Sequence, residues 1–134
     1  MKVYTGKRVK WGCIVEVDGK PLPMRLDLRN HSLTGFEWGY GGSGPAQLAL
    51  ATLTDCLGND EKALRLHQRF KFRVVGNLPR DGWTLTEKEI RRVVAQLEKE
   101  RRLELEEPSL AKDLSQNNVY ILRCRVMLLV WRQR

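Results

Sequence analysis

The residues with the clearest chemical potential are Gly39-Tyr40-Gly41-Gly42-Ser43-Gly44, with four glycines in six positions, followed by Pro45 and an apolar run. Glycine tolerates positive φ and lets backbone N–H groups approach a ligand closely. Proline suits the first turn of a helix, where its missing N–H costs nothing and its φ is already helical. The unpaired N–H groups and positive dipole end of that helix would face the space beside the loop. An anion, above all a phosphate, is the guest such a geometry accepts. Phe36, Trp38 and Tyr40 alternate, so on an extended strand they would share one face able to stack a base. The candidate ligand-binding residues are therefore Trp38, Tyr40, Gly41, Gly42, Ser43, Gly44 and Gln47. Two nucleotide motifs do not apply. No lysine follows the loop as Walker A requires, and Gly39–Gly44 spells G-x-G-x-x-G without a βαβ unit around it.

A second constellation is cationic. Lys62, Arg65, Arg69 and Arg73 fall within about 80° of one another on a helical wheel, a stripe suited to a phosphate backbone or an acidic protein surface. Hydrolase chemistry ranks third. Ser43 within Gly41–Pro45 approximates the G-x-S-x-G turn and His31 is a candidate base, but Pro45 departs from the motif and the α/β-hydrolase element order is missing. Asp27 and Glu37 are two carboxylates with no spacing that assigns them acid and base roles. His67 beside the basic stripe reads as a helix-surface or packing residue. Cys13, Cys56 and Cys124 have neither disulfide nor zinc spacing, and no cofactor is indicated.

These residues need elements to position them. Residues 2–10 and 11–17 carry short β patterns, and Asp18-Gly19 is a hairpin signal. Met24-Arg25-Leu26-Asp27-Leu28-Arg29 alternates and reads as a third strand before the aromatic segment. The run after Pro45 is apolar nearly all round to Leu57, which predicts a central, buried helix ending at Gly58-Asn59. Asp60 can cap a second helix over about 60–75. The segment Gly76–Leu85 reads as a loop. Thr86-Glu87-Lys88-Glu89 is a capping box opening a third helix over about 86–104, closed by Pro108. Residues 109–118 read as a connection. Residues 119–131, rich in β-branched and apolar side chains, predict a long strand that either joins the N-terminal sheet or forms a homo-oligomer interface.

The expected fold is α+β: a small antiparallel N-terminal sheet packed on about three helices, with a C-terminal β-strand. At 134 residues the chain reads as a single domain. Residues 1–29 form its sheet region, 30–107 its glycine loop and helices, and 108–134 a C-terminal extension. The net charge of +8 points to an anionic partner. The N-terminus lacks an apolar signal core and no run reaches membrane-span length, so the cytoplasm is expected.

Several motifs together carry a resemblance. They are Tyr4-x-Gly6-x-Arg8, Val17–Pro23, Asp27–Ser32, Thr34–Ala51, Phe70-Lys71-Phe72 and Leu78–Trp83. Over about residues 4–95 the chain resembles an uncharacterised domain-of-unknown-function family of bacteria, phages and mobile elements. The resemblance implies no activity. Its setting implies a small binding protein that interferes with a host system, acting in the host cytoplasm if phage-encoded. The expectation is thus a binding protein rather than an enzyme, taking a phosphorylated small molecule such as a nucleotide at the glycine loop. The alternative is a regulator that engages nucleic acid or an acidic host protein through the basic stripe.

Overall fold

The computed structural model describes residues 1–106. The expected strand at 119–131, the stop at Pro108 and the connection at 109–118 lie outside the described residues. The chain divides into two units, Met1–Val94 and Ala95–Arg134.

Strands β1 (Val3–Val9) and β2 (Gly12–Val17) pair antiparallel through the two-residue turn Lys10-Trp11, with Val9 opposite Gly12. Asp18 and Gly19 both take positive φ, 50° and 79°, as a type I′ hairpin turn requires. They lead into the two-residue β3 (Lys20–Pro21), after which the Leu22 N–H still reaches Val15 O on β2 at 3.1 Å. The sheet has four strands in the order β3-β2-β1-β4, and β4 (Gly82–Thr86) lies antiparallel beside β1. That fourth strand corrects the reading of Gly76–Leu85 as a loop. Its register places Trp83 opposite Gly6, and the absent Gly6 side chain leaves room for the indole ring.

The strand expected at Met24–Arg29 is a turn instead. Arg25 takes a left-handed φ of 56°, and its carbonyl accepts the Leu28 N–H at 3.2 Å. The guanidinium bridges Asp27 and Asp60, at 2.8 Å to Asp60 Oδ2. Met24 O goes to the Gln47 side-chain amide at 2.6 Å, not to a neighbouring strand. Alternation of side chains was present, but tertiary partners took the backbone groups.

Helix α1 (Ser43–Leu57) begins two residues before Pro45 and is buried at twelve of its fifteen positions, as its unbroken apolar run requires. Gly58 ends it in the left-handed conformation, its N–H on Thr54 O. Asp55 ties the helix to the sheet: it accepts the buried Tyr4 hydroxyl at 2.6 Å and the Lys2 ammonium at 3.3 Å. Burial first and then this bond to Asp55 push the Tyr4 phenol well above its ordinary value. Helix α2 (Asp60–Arg73) packs on α1. Its cap is Asn59 and not Asp60: Asn59 Oδ1 accepts the Lys62 N–H at 3.0 Å, leaving Asp60 to favour the dipole from the first turn. A 3₁₀ turn, Val75–Asn77, follows. Helix α3 (Glu87–Glu106) opens with the expected capping box, Thr86 N–H on Glu89 Oε2 and Glu89 N–H on Thr86 Oγ1, at 3.0 and 3.2 Å. No helix among the described residues is long and apolar enough to cross a membrane.

Candidate functional site

The glycine loop enters α1 at one end of the sheet, and most of its glycines accommodate the protein's own side chains. A Cβ on Gly42 would run into the Tyr40 ring, and one on Gly41 would stand 3.1 Å from the Phe72 ring. On Gly44 it would meet Glu37 Cβ at 2.7 Å. Gly39 is required for its own backbone, at a φ of +88°. The loop is therefore not an empty cradle at Gly42 and Gly44. Its outer rim is open: Gly41 and Ser43 are exposed, and so are the Tyr40 and Phe72 rings. Gly42 caps α1 with no side-chain bond, and the first turn carries no acidic residue. The Lys71 ammonium lies 4.1 Å from the centroid of the Phe72 ring, where the π face attracts it.

Two of the expected ligand residues serve the core. Trp38 is 1% exposed, and its indole N–H reaches the carbonyls of Pro79 and Arg80, each at 3.0 Å. It meets Trp83 edge-on at 5.6 Å between centroids. The segment 36–40 is not a strand, and Gly39 turns the chain so that Trp38 is buried while Tyr40 faces solvent. The shared aromatic face is thus absent. Gln47 is fully buried, its Oε1 accepting the N–H groups of His31 and Ser32 and its amide donating to Met24 O. A polar residue inside an otherwise apolar helix was the available signal for such a role.

Beside the loop, Arg8 on β1 makes a bidentate pair with Glu37, at 2.9 and 3.0 Å, and stacks 4.9 Å from the Trp38 ring centroid. The guanidinium holds the Glu37 carboxyl below its usual range. Cys13, opposite Arg8 on β2, sits 3.2 Å from Arg8 Nη1 and 3.4 Å from Glu37 Oε1. Burial first, and then Glu37, push its thiol up, so it favours the protonated form. Arg8 and Glu37 are far apart in sequence, and no local pattern announces their pairing.

A second cluster joins the two histidines, with Nε2 to Nε2 at 2.9 Å. His67 Nδ1 lies 2.7 Å from Leu64 O and donates to it, so its Nε2 accepts and His31 Nε2 carries the shared proton. His67 is 2% exposed, so of the two readings, helix surface or packing, it is the packing one that holds. It falls on the stripe of Ala63, Leu66 and Phe70, a spacing visible in the sequence. Burial first, then the cations Arg29 and Lys71, lower the pKa of His31. Burial also lowers that of His67, with His31 and Arg29 adding to it against the bond to Leu64. Both folded values lie below the ordinary 6.5, so the unfolded chain binds more protons as pH falls through that value. Stability present above pH 6.5 is therefore expected to decline below it and level off beneath the folded values. Urea midpoints across pH 5 to 8 test this, and a His31→Gln/His67→Gln variant should flatten the dependence.

The remaining candidates separate. Ser43 forms no hydrogen bond with either histidine among the described residues, since His31 is turned to His67. Asp27 pairs with Arg25 and Glu37 with Arg8, so the two carboxylates belong to different ion pairs. Lys62, Arg65, Arg69 and Arg73 lie along α2, and each engages an interaction partner. Cys13 and Cys56 are free thiols. Among the described residues no group of three or more His, Cys, Asp or Glu is placed to hold a metal ion. Neither a curated protein nor a solved structure matches the chain. The sequence model of one family matches residues 4–96, which takes in all of the sheet but Val3, the glycine loop, both central helices and the histidine pair, and the chain belongs to that family of unknown function, DUF6166.

Proposed function

We propose that the protein is a binding protein that takes a phosphate-bearing ligand such as a nucleotide on the outer rim of the Tyr40–Gly44 loop. One observation carries this reading: the uncapped first turn of α1 opens at exposed Ser43, beside two exposed rings, Tyr40 against Gly42 and Phe72 against Gly41. Helix N-termini favour anions through their free N–H groups and dipole, and the rings offer π faces to a base. Lys71 adds positive charge at the Phe72 side. Tyr40 and Phe72 take the stacking role first expected of Trp38 and Tyr40. In a phage or mobile-element setting, such a protein would sequester a nucleotide signal.

Thermal unfolding with a panel of nucleotides and inorganic phosphate tests the reading. A ligand at about 100 times its Kd should stabilise the fold by about 2.7 kcal/mol. Tyr40→Ala and Phe72→Ala should weaken that response while leaving the unliganded midpoint nearly unchanged, since both side chains face solvent. No shift with any member of the panel would remove the proposal.

A further inference from the structure

Three large aromatic side chains among the described residues are solvent-exposed, and contacts draw all three towards one end of the sheet. Tyr40 and Phe72 flank the glycine loop. The third is Trp11, 85% exposed at the tip of the β1–β2 hairpin. Glu37, against Gly44, is bonded to Arg8 and approaches Cys13, the last inward-facing pair before that tip. Arg8 Nε donates to Arg80 O and its backbone N–H to Asp81 O, so the 79–82 segment lies beside the hairpin. Lys7 pairs with Gly82 across the sheet. Lys7, Lys10 and Arg80 are exposed, and among the described residues none of them is in an ion pair. Asp81 is the exposed acidic residue beside Arg80.

From this juxtaposition we propose that Trp11, Lys10 and Arg80 extend the Tyr40–Phe72 rim into a binding surface for single-stranded nucleic acid. The inference rests on the reading of the rim as a phosphate-binding site and names its substrate class. Exposed rings and exposed cations at one end of the sheet match a chain that carries both bases and phosphates. Stacking on exposed aromatics needs unpaired bases, while lysines and arginines neutralise the backbone. A lipid surface would be met better by a contiguous aliphatic patch, and here the exposed groups are aromatic rings and charges. The cations of the α2 stripe have partners already, whereas those of the hairpin end meet solvent.

The test is fluorescence anisotropy with a labelled oligothymidylate of about twelve nucleotides, within the usual span of such surfaces. Thymidine monophosphate, the same sequence as a duplex, and phosphatidylcholine–phosphatidylserine vesicles serve as comparisons. The oligonucleotide should bind at least about tenfold more tightly than the mononucleotide. Trp11→Ala should weaken it by about tenfold, the loss of one stacked base. Two neutralised phosphates should cost about sevenfold in affinity between about 50 and 200 mM salt. Trp11 is 85% exposed at the hairpin tip, and an unchanged thermal midpoint confirms that the variant is folded. Oligonucleotide binding no tighter than that of the monophosphate, or indifferent to Trp11→Ala, overturns the inference while leaving a nucleotide site at the rim. Equal or better binding to the duplex overturns it as well. Trp11-dependent binding to vesicles without binding to the oligonucleotide assigns the surface to lipid headgroups instead. Binding to neither nucleotide nor oligonucleotide removes this proposal and the rim reading together.

Discussion

Replacing Trp38 by alanine is expected to destabilise the protein by about 3–5 kcal/mol, the range for removing a large buried aromatic side chain. The indole is 1% exposed, so its loss opens a cavity where surrounding groups can relax only in part. It also leaves the Pro79 carbonyl without its indole donor and that of Arg80 with Arg8 Nε alone, and removes the surface on which Arg8 lies and the edge-on partner of Trp83. Those contacts bind the glycine loop, β1 and the start of β4 to one another. Since whole domains are stable by about 5–15 kcal/mol, this single change is expected to consume a large share of the total. Urea denaturation reads it directly as a lowered midpoint. Tyr40→Ala, two residues away and solvent-facing, should stay within about 0.5 kcal/mol of the parent. A Trp38→Ala variant as stable as the parent but defective in ligand binding would return the indole to the ligand site.

A glycine accounts for the second large effect. Gly6→Ala is expected to cost about 3 kcal/mol, the upper end for overpacking a tight core. A Cβ at this position would enter the edge of the Trp83 ring, which lies directly across the β1–β4 ladder. Trp83 is 8% exposed and is itself met edge-on by Trp38, so the ring has little freedom to withdraw. Its Nε1 is buried and has no hydrogen-bond partner among the described residues. Combining Gly6→Ala with Trp83→Leu should recover part of the loss relative to the sum of the single changes, because the smaller side chain removes the collision. Denaturation midpoints for the four proteins of this cycle give the coupling. Additive effects would mean that the glycine serves something other than the ring.

Much of the local structure was legible because it depends on neighbours in sequence. Asp18-Gly19 specified its hairpin, since both residues tolerate positive φ. Thr86 and Glu89 specified the start of α3 through reciprocal bonds three residues apart. The run after Pro45 specified a buried helix, because a helix with no polar face has nowhere else to go. Those residues satisfy their demands within a turn or two of chain.

Other elements depended on partners that arrive from far along the chain. Met24–Arg29 alternates like a strand, yet Gln47 takes the Met24 carbonyl and two aspartates hold Arg25, so the backbone turns. Gly82–Thr86 alternates as Trp83-Thr84-Leu85-Thr86 but is only five residues long, and it becomes a strand because it pairs along β1. The candidate site divides in the same way. The exposed Tyr40, Gly41 and Ser43 stand where a loop before a helix would put them. Trp38 and Gln47 proved to be interior groups, since only folding brings Pro79, Arg80, Met24 and His31 within their reach. The His31–His67 pair and the Arg8–Glu37 bridge likewise join separate segments. The sequence by itself determined the Asp18-Gly19 hairpin turn, the capping box of α3 and the central helix with its stop at Gly58, whose interactions span a few residues. Only the tertiary structure decided which polar groups face the interior, because a buried donor or acceptor must find a partner wherever the fold supplies one.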